Sequence, residues 1–286
     1  MMSTSAPMMG ATRPRLIVFG NEKGGSGKST AAVHVAVGLA RAGKRVAALD
    51  LDARQGSLSR YLAGRDQSLP TPPTVAIQRS ALPVVADADE EERRQLDAAI
   101  GRFGSYEFIV LDTPGSDSNL TRLAHARADV LVTPINDSFV DLDLLARIDP
   151  DTHNITGPSL YSEMVWEQRK RRALSDGQTI DWIVMRNRMG HVEGRNKRVI
   201  ADILAALAKR IGFRLAPGFG ERVIFRELFL KGLTLLDLGS DTGHSMTLSH
   251  VAARQEVRAL IDAILAAPPP RSVLVRSPTA VAQPRP

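Results

Sequence analysis

The chain contains no cysteine. That excludes disulfides, cysteine-ligated zinc, iron–sulfur clusters and a thiol nucleophile. No uninterrupted apolar run approaches the roughly 18 residues needed to cross a bilayer. The opening MMSTSAPMMGATRP has no apolar segment of signal-peptide type. These absences lead to the expectation of a soluble, cytoplasmic protein. Aromatic residues make up only 5% of the chain, and few interleave with its basic residues, so base stacking is a poor explanation for any nucleic-acid binding.

What the chain does have is enough apolar residue, 43%, to bury a large core, and a net charge of +6. The charge is segregated. Residues 1–14 hold one arginine, residues 268–286 hold three, and neither stretch has an acid; without these four the body carries +2. Within the body, residues 186–226 have ten Lys/Arg against three acids, a local net of +7 that the remainder offsets with −5. Segregation of this kind says more about partners than the total does.

Five short apolar runs, RLIVFG (15–20), RVAALDLD (45–52), FIVLDTPG (108–115), DVLVTPI (129–135) and IDWIVMRN (180–187), read as buried strands. Helix-length stretches lie between them at 89–102, 118–127, 138–147, 160–174 and 193–211, with an amphipathic pattern at 248–267. Buried strands alternating with helices predict an α/β protein, a doubly wound and mostly parallel sheet flanked by helices on both faces. We read one domain, 15–267, with a disordered N-terminal tail (1–14) and a Pro-rich disordered C-terminal tail (268–286).

The loop GNEKGGSGKST (20–30) follows the first strand and opens a helix, the context in which a glycine-rich loop binds phosphate. Backbone N–H groups around Gly24, Gly25, Ser26 and Gly27 can converge on phosphate oxygens, helped by the positive end of the helix. In this reading Lys28 holds the β- and γ-phosphates, Ser29 ligates Mg²⁺ and Thr30 adds a hydroxyl near the α-phosphate. VLDTPGSD (110–117) looks like the second phosphate-site segment, with Asp112 holding a metal-bound water and Gly115 offering its N–H to the γ-phosphate. The expected ligands are therefore ATP and Mg²⁺.

The standard phosphate-loop pattern has glycine where this chain has Glu22, and a second lysine, Lys23, precedes the glycines. KGGxGK[ST] resembles the deviant Walker A P-loop ATPases of the ParA/MinD family. The resemblance implies that Lys23 reaches the nucleotide of a partner subunit, so that ATP binding makes a homodimer. It further implies that LDLDARQ (49–55) is a switch segment. Asp52 then orients the attacking water, Asp50 sits near the metal, and Asn187 reads adenine. Lys23, Lys28 and Asp52 thus form the implied catalytic set.

GNEKGGSGKSTAAVHVAV, 132–150, 158–175 and 225–238 resemble the MipZ family, division-plane-positioning ATPases of alphaproteobacteria. That resemblance implies an ATP-dependent dimerisation switch, reset by slow hydrolysis, that binds nonspecific DNA and the centromere-binding protein ParB and inhibits polymerisation of FtsZ. It also implies a nucleoid-associated location. A ParA-type segregation ATPase without FtsZ inhibition is the alternative, and a metabolic ligase or kinase on the same scaffold a more distant one. The C-terminal SPTAVAQPRP is too rich in proline for a terminal membrane helix, so no stable membrane association is expected.

The basic segment supplies the candidate DNA face. Ile200, Ile203, Leu204, Leu207 and Ile211 form an apolar stripe, and Arg195, Arg198 and Lys209 lie roughly opposite. With Arg186, Arg188, Arg214, Arg222 and Arg226 they are expected to make a basic surface that holds DNA phosphates without reading sequence. WEQRKRR (166–172) is a second basic cluster that could extend it.

Overall fold

A computed structural model describes residues 13–149, 152, 155–189, 195–239 and 247–266. The centre is a seven-stranded sheet in the order β3-β2-β4-β1-β5-β8-β9. Its strands are β1 (Arg15–Phe19), β2 (Val46–Asp50), β3 (Thr74–Ala76), β4 (Phe108–Asp112), β5 (Val130–Asn136), β8 (Asp181–Asn187) and β9 (Arg214–Ala216), and all pair in parallel. Helices α1 (Lys28–Arg41), α2 (Ser57–Ala63), α8 (Ile224–Leu230) and α9 (Leu248–Leu265) cover one face. Helices α3 (Val85–Arg102), α4 (Asn119–Arg127), α6 (Leu160–Asp176) and α7 (Arg195–Leu207) cover the other.

Alternation along each strand builds both cores at once. In β1, Leu16 and Val18 join the α3–α4–α6–α7 cluster, whereas Ile17 and Phe19 join the α1–α9 cluster. Successive side chains of a strand point to opposite faces, so a strand buried on both sides is apolar throughout. This is the doubly wound α/β sheet expected from the sequence.

The register brings the chemistry to one edge. Asp112 ends β4 level with Phe19 of β1 and Asp50 of β2, while Asn187 of β8 lies level with Asn136 of β5. All these positions are at the carboxyl ends of parallel strands, where open α/β sheets bind ligands.

Three readings require correction. The stretch 138–147 is not a helix: only α5 (Phe139–Leu142) is helical, and β6 (Ala146–Ile148) then pairs antiparallel with β7 (Ile155–Pro158). Leu142, Leu144, Leu145 and Ala146 are buried all the same. Their run of apolarity mimicked a helix face, but consecutive burial in a tight turn produced it. Helix α7 passes into a π-helical turn at Ala208–Gly212, so the helical stretch expected at 193–211 changes its winding after Leu207, with 193–194 outside the described residues. The expected tails lie outside the described residues except for Arg13 and Pro14. Arg13 donates two hydrogen bonds to Asp129, of 2.9 and 2.7 Å, and belongs to the fold.

Candidate functional site

The loop after β1 is held by its own side chains. Asn21 donates to the Pro134 carbonyl at 2.6 Å and accepts the Lys23 N–H at 2.7 Å. Lys28, buried at 7% exposure, donates to the Lys23 carbonyl at 2.9 Å. At Gly27, the N-cap of α1, φ is +91°, and a Cβ would lie 2.1 Å from the Asn187 amide nitrogen. Both the left-handed backbone and the contact demand glycine. Burial pulls the Lys28 pKa down, and the carboxylates of Asp112 and Asp52 oppose that pull.

Beside the loop opens a cleft of about 870 Å³, lined by Gly24, Gly25, Lys28, Ser29, Asp52 and Gly115 among others. Gly115 comes close to the loop: a Cβ there would meet the Gly24 backbone at 3.1 Å. The phosphate loop and the segment after β4 are thus two walls of one site. Asp52 lies at the rim, its carboxylate accepting the Gln55 N–H at 3.3 Å.

Asp112 is fully buried at the end of β4. Burial and the nearby Asp50 push its carboxyl up to about 7, against a hydrogen bond from Ser29 and the positive charge of Lys28. Its Oδ1 is buried without a hydrogen-bond partner. A buried carboxylate oxygen without a partner beside a serine hydroxyl suits Mg²⁺, which binds through one or two carboxylates, waters and substrate phosphates. Ser29 and Asp112 would hold it, and it would neutralise phosphate charge.

Asp50 has another task. Its two oxygens accept the Asp52 N–H at 3.1 Å and the Ser59 N–H at 2.9 Å. It therefore joins the Asp52 turn to the first turn of α2, level in the sheet with Asp112. Among the described residues, no group of three or more His, Cys, Asp or Glu could hold a metal ion.

Lys23 sits outside the phosphate cleft. Its Nζ donates to the Val140 carbonyl at 2.5 Å and lies 3.1 Å from Asp141, lining an adjacent groove with Glu22 and Glu163. Thr30 and Asn187 face a second cleft of about 360 Å³, walled by Phe219, Phe225 and Phe229. Asn187 donates to the Ser26 carbonyl at 2.8 Å, which locks β8 to the phosphate loop. The buried Ser26 hydroxyl has no partner.

The candidate DNA residues do not form one free surface. Arg222 makes a bidentate ion pair with Glu256 and lines the second cleft. Arg186 pairs with Asp137, and Arg214 with Asp181. Arg198 and Lys209 are exposed on α7 and the turn after it; Arg195 opens α7. Half of the second basic cluster is internal, while Lys170 and Arg171 are exposed. Arg172 is 4% exposed and binds Asp129, Asp176 and the carbonyls of Arg127 and Ala128. Arg169 is buried over the Trp182 ring and donates to the carbonyls of Ile211 and Gly212.

Sequence reasoning passed over several residues that build the site. Asn21 lies within the quoted loop but its bracing role was not marked, whereas Asp141 and Arg79 are brought to the loop or the cleft only by folding. His34 was equally unmarked. It is fully buried in α1, where Nδ1 donates to the Thr30 carbonyl at 2.8 Å and Nε2 accepts the Leu235 N–H.

A phosphate loop with a second lysine, on a doubly wound parallel sheet, defines a P-loop ATPase of the ParA/MinD class. Residues 15–267 match the family described as ATPase MipZ, and the chain belongs to that family. It is similar to the chromosome partitioning protein ParA of Caulobacter vibrioides, 27% identical over 260 residues that cover 78% of this chain and 91% of that protein. Among solved structures it resembles apo McdA of Cyanothece, with a TM-score of 0.58 at 16% identity over 88% of this chain and 99% of that one. It also resembles the septum site-determining protein MinD of Pyrococcus horikoshii in complex with Mg-ADP, with a TM-score of 0.52 at 17% identity over 87% and 93% of the two chains. Family membership supports ATPase activity with bound nucleotide and Mg²⁺.

Proposed function

We propose that the protein is an ATP-driven dimerisation switch that positions the division plane. The ATP-bound dimer holds nonspecific DNA and ParB and restrains FtsZ assembly, and slow hydrolysis returns it to monomer. The observation that carries this reading is the placement of Lys23. Lys28 faces the chain's own phosphate cleft, whereas Lys23 lines a neighbouring groove and is half exposed there. A lysine at the lip of a phosphate loop but turned out of its own cleft supports a role for it in another subunit's site.

Asp52, carried by a turn tied to Asp50, is the group we assign to orienting the attacking water. Positioning without a strong base gives modest rates, which suits a timer. Asn187 and the phenylalanines of the second cleft are assigned to the adenine, with Thr30 near the α-phosphate. DNA retention is assigned to the basic segment that includes Arg195, Arg198 and Lys209, while Arg222 is paired with Glu256. The FtsZ and ParB assignments rest on family membership and on the resemblance of segments 132–150 and 158–175.

Molar mass by light scattering, with ADP and with a slowly hydrolysed ATP analogue, tests the switch. Wild type should double only with the analogue, and Lys23→Ala should stay monomeric. A Lys23→Ala chain that dimerises like wild type would refute the assignment. Sedimentation of FtsZ polymers with the ATP-bound dimer then tests the output.

A further inference from the structure

The phosphate cleft has a wall that no phosphate-loop motif announces. Gln78 and Arg79, immediately after β3, line it together with Lys28, Asp52 and Gly115. β3 pairs in parallel with β2, with Ala76 level with Asp50, so the chain beyond β3 leaves the sheet at the edge where Asp52 lies.

Both sides of Arg79 are anchored. The Ile77 N–H donates to the Asp50 carbonyl at 2.8 Å, and the Ile77 side chain is buried at 4% exposure. The Ser80 N–H donates to Glu92 Oε1 at 3.0 Å, and the Ser80 hydroxyl donates to Glu91. Glu92 is itself buried, and its Oε2 accepts from Asn119 at 3.0 Å, the first residue of the helix that follows the Gly115 segment. The short loop is therefore clipped to the Asp52 side below and the Gly115 side above. Arg79 is exposed between these anchors and makes no hydrogen bond or ion pair among the described residues.

The charges on this side of the cleft call for such a group. Lys28 is buried deep in the site, Asp52 adds a negative charge at the rim, and Lys23 is held outside by Asp141. A terminal phosphate adds negative charge beside Asp52, and its repulsion must be offset. A guanidinium can meet two phosphate oxygens at once and stays protonated. Arg54 shares this rim, but it belongs to the Asp52 turn itself.

We propose that Arg79 is a further catalytic residue of the ATPase reaction, one that contacts the γ-phosphate of the chain's own nucleotide. The inference rests on the ATPase reading above. In the step it assists, the oxygen of a water forms a bond to the γ-phosphorus while the bond from that phosphorus to the ADP oxygen breaks. The electron pair leaves with ADP, and the water proton passes to phosphate or solvent. Arg79 offsets charge on the transferring group and favours a triphosphate over a diphosphate. Arginines that neutralise this transition state elsewhere contribute about 10³-fold or more in rate; an exposed, solvent-screened one is expected to contribute less.

Turnover and the dissociation constants of ADP and a slowly hydrolysed ATP analogue are measured for wild type, Arg79→Ala and Arg79→Lys, with thermal melts to confirm folding. Arg79→Ala should turn over at least about tenfold more slowly and lose several-fold of its preference for the triphosphate, with ADP affinity within about twofold of wild type. Arg79→Lys should recover part of both. Turnover and preference within about twofold of wild type would overturn the proposal, as would equal losses of ADP and triphosphate affinity. A wild-type chain that binds neither nucleotide would instead defeat the ATPase reading, and this inference with it.

Discussion

Asp50 and Asp52 stand two residues apart and have different freedom. Asp50 is fully buried and engages two backbone N–H groups, whereas Asp52 is at the cleft rim with one long bond to Gln55. Only the second is available to a water molecule. Asp52→Ala should therefore leave ATP binding in place while lowering turnover by roughly 10²-fold or more, so that the ATP-bound species accumulates. Single-turnover hydrolysis alongside analogue binding checks this, and normal turnover would remove Asp52 from the reaction. The DxD pattern was legible in the sequence, but the clamp on Asp50 was not. It depends on Ser59 arriving at Asp50 when α2 docks.

At the scale of elements, α6 shows how charge counts mislead. Its sequence reads as a basic cluster, but Arg172 lies under the helix and closes a network with Asp129 and Asp176. Without Arg172, Asp129 keeps its pair with Arg13 and Asp176 is solvated, but the carbonyls of Arg127 and Ala128 lose their donor. Arg172→Ala should cost about 1–3 kcal/mol of stability, measured by urea unfolding; a loss below about 0.5 kcal/mol would mean that solvent replaces the arginine. The strands, by contrast, were legible because their apolar runs follow from burial on two faces. The 138–147 stretch misled because Leu142, Leu144 and Leu145 are buried without helical periodicity being the cause. The short edge strands β3 and β9 went unseen, since three residues carry too little pattern.

Across the whole molecule, two neutral histidines tie the helices to the nucleotide site. His125 of α4 donates to the Thr121 carbonyl and lies beneath Gly20, where a Cβ would meet its ring at 2.4 Å; His34 sits below Thr30. Burial holds both down to about 4, from an ordinary 6.5. In the unfolded chain they bind protons below about 6.5, so the folded state's advantage is complete above that value and is lost as pH falls towards 4. The combined effect approaches several kcal/mol at most, at roughly 1.4 kcal/mol per pH unit for each histidine. Thermal melts between pH 7.5 and 4.5 should show the melting temperature falling through this window; a flat profile would mean that the histidines are charged in the fold.

The amino-acid sequence by itself determined the phosphate loop, the carboxylates at strand ends and the layered α/β class, because each depends on local backbone freedom or on short apolar periodicity. The tertiary structure alone decided which charges remain available. Lys23 and Asp141 are 118 residues apart in the chain, Arg172 and Asp129 are 43 apart, and the buried Arg65 and Asp237 are 172 apart. An ion pair depends on distance in space, and no local pattern encodes which distant carboxylate a folded chain brings to an arginine.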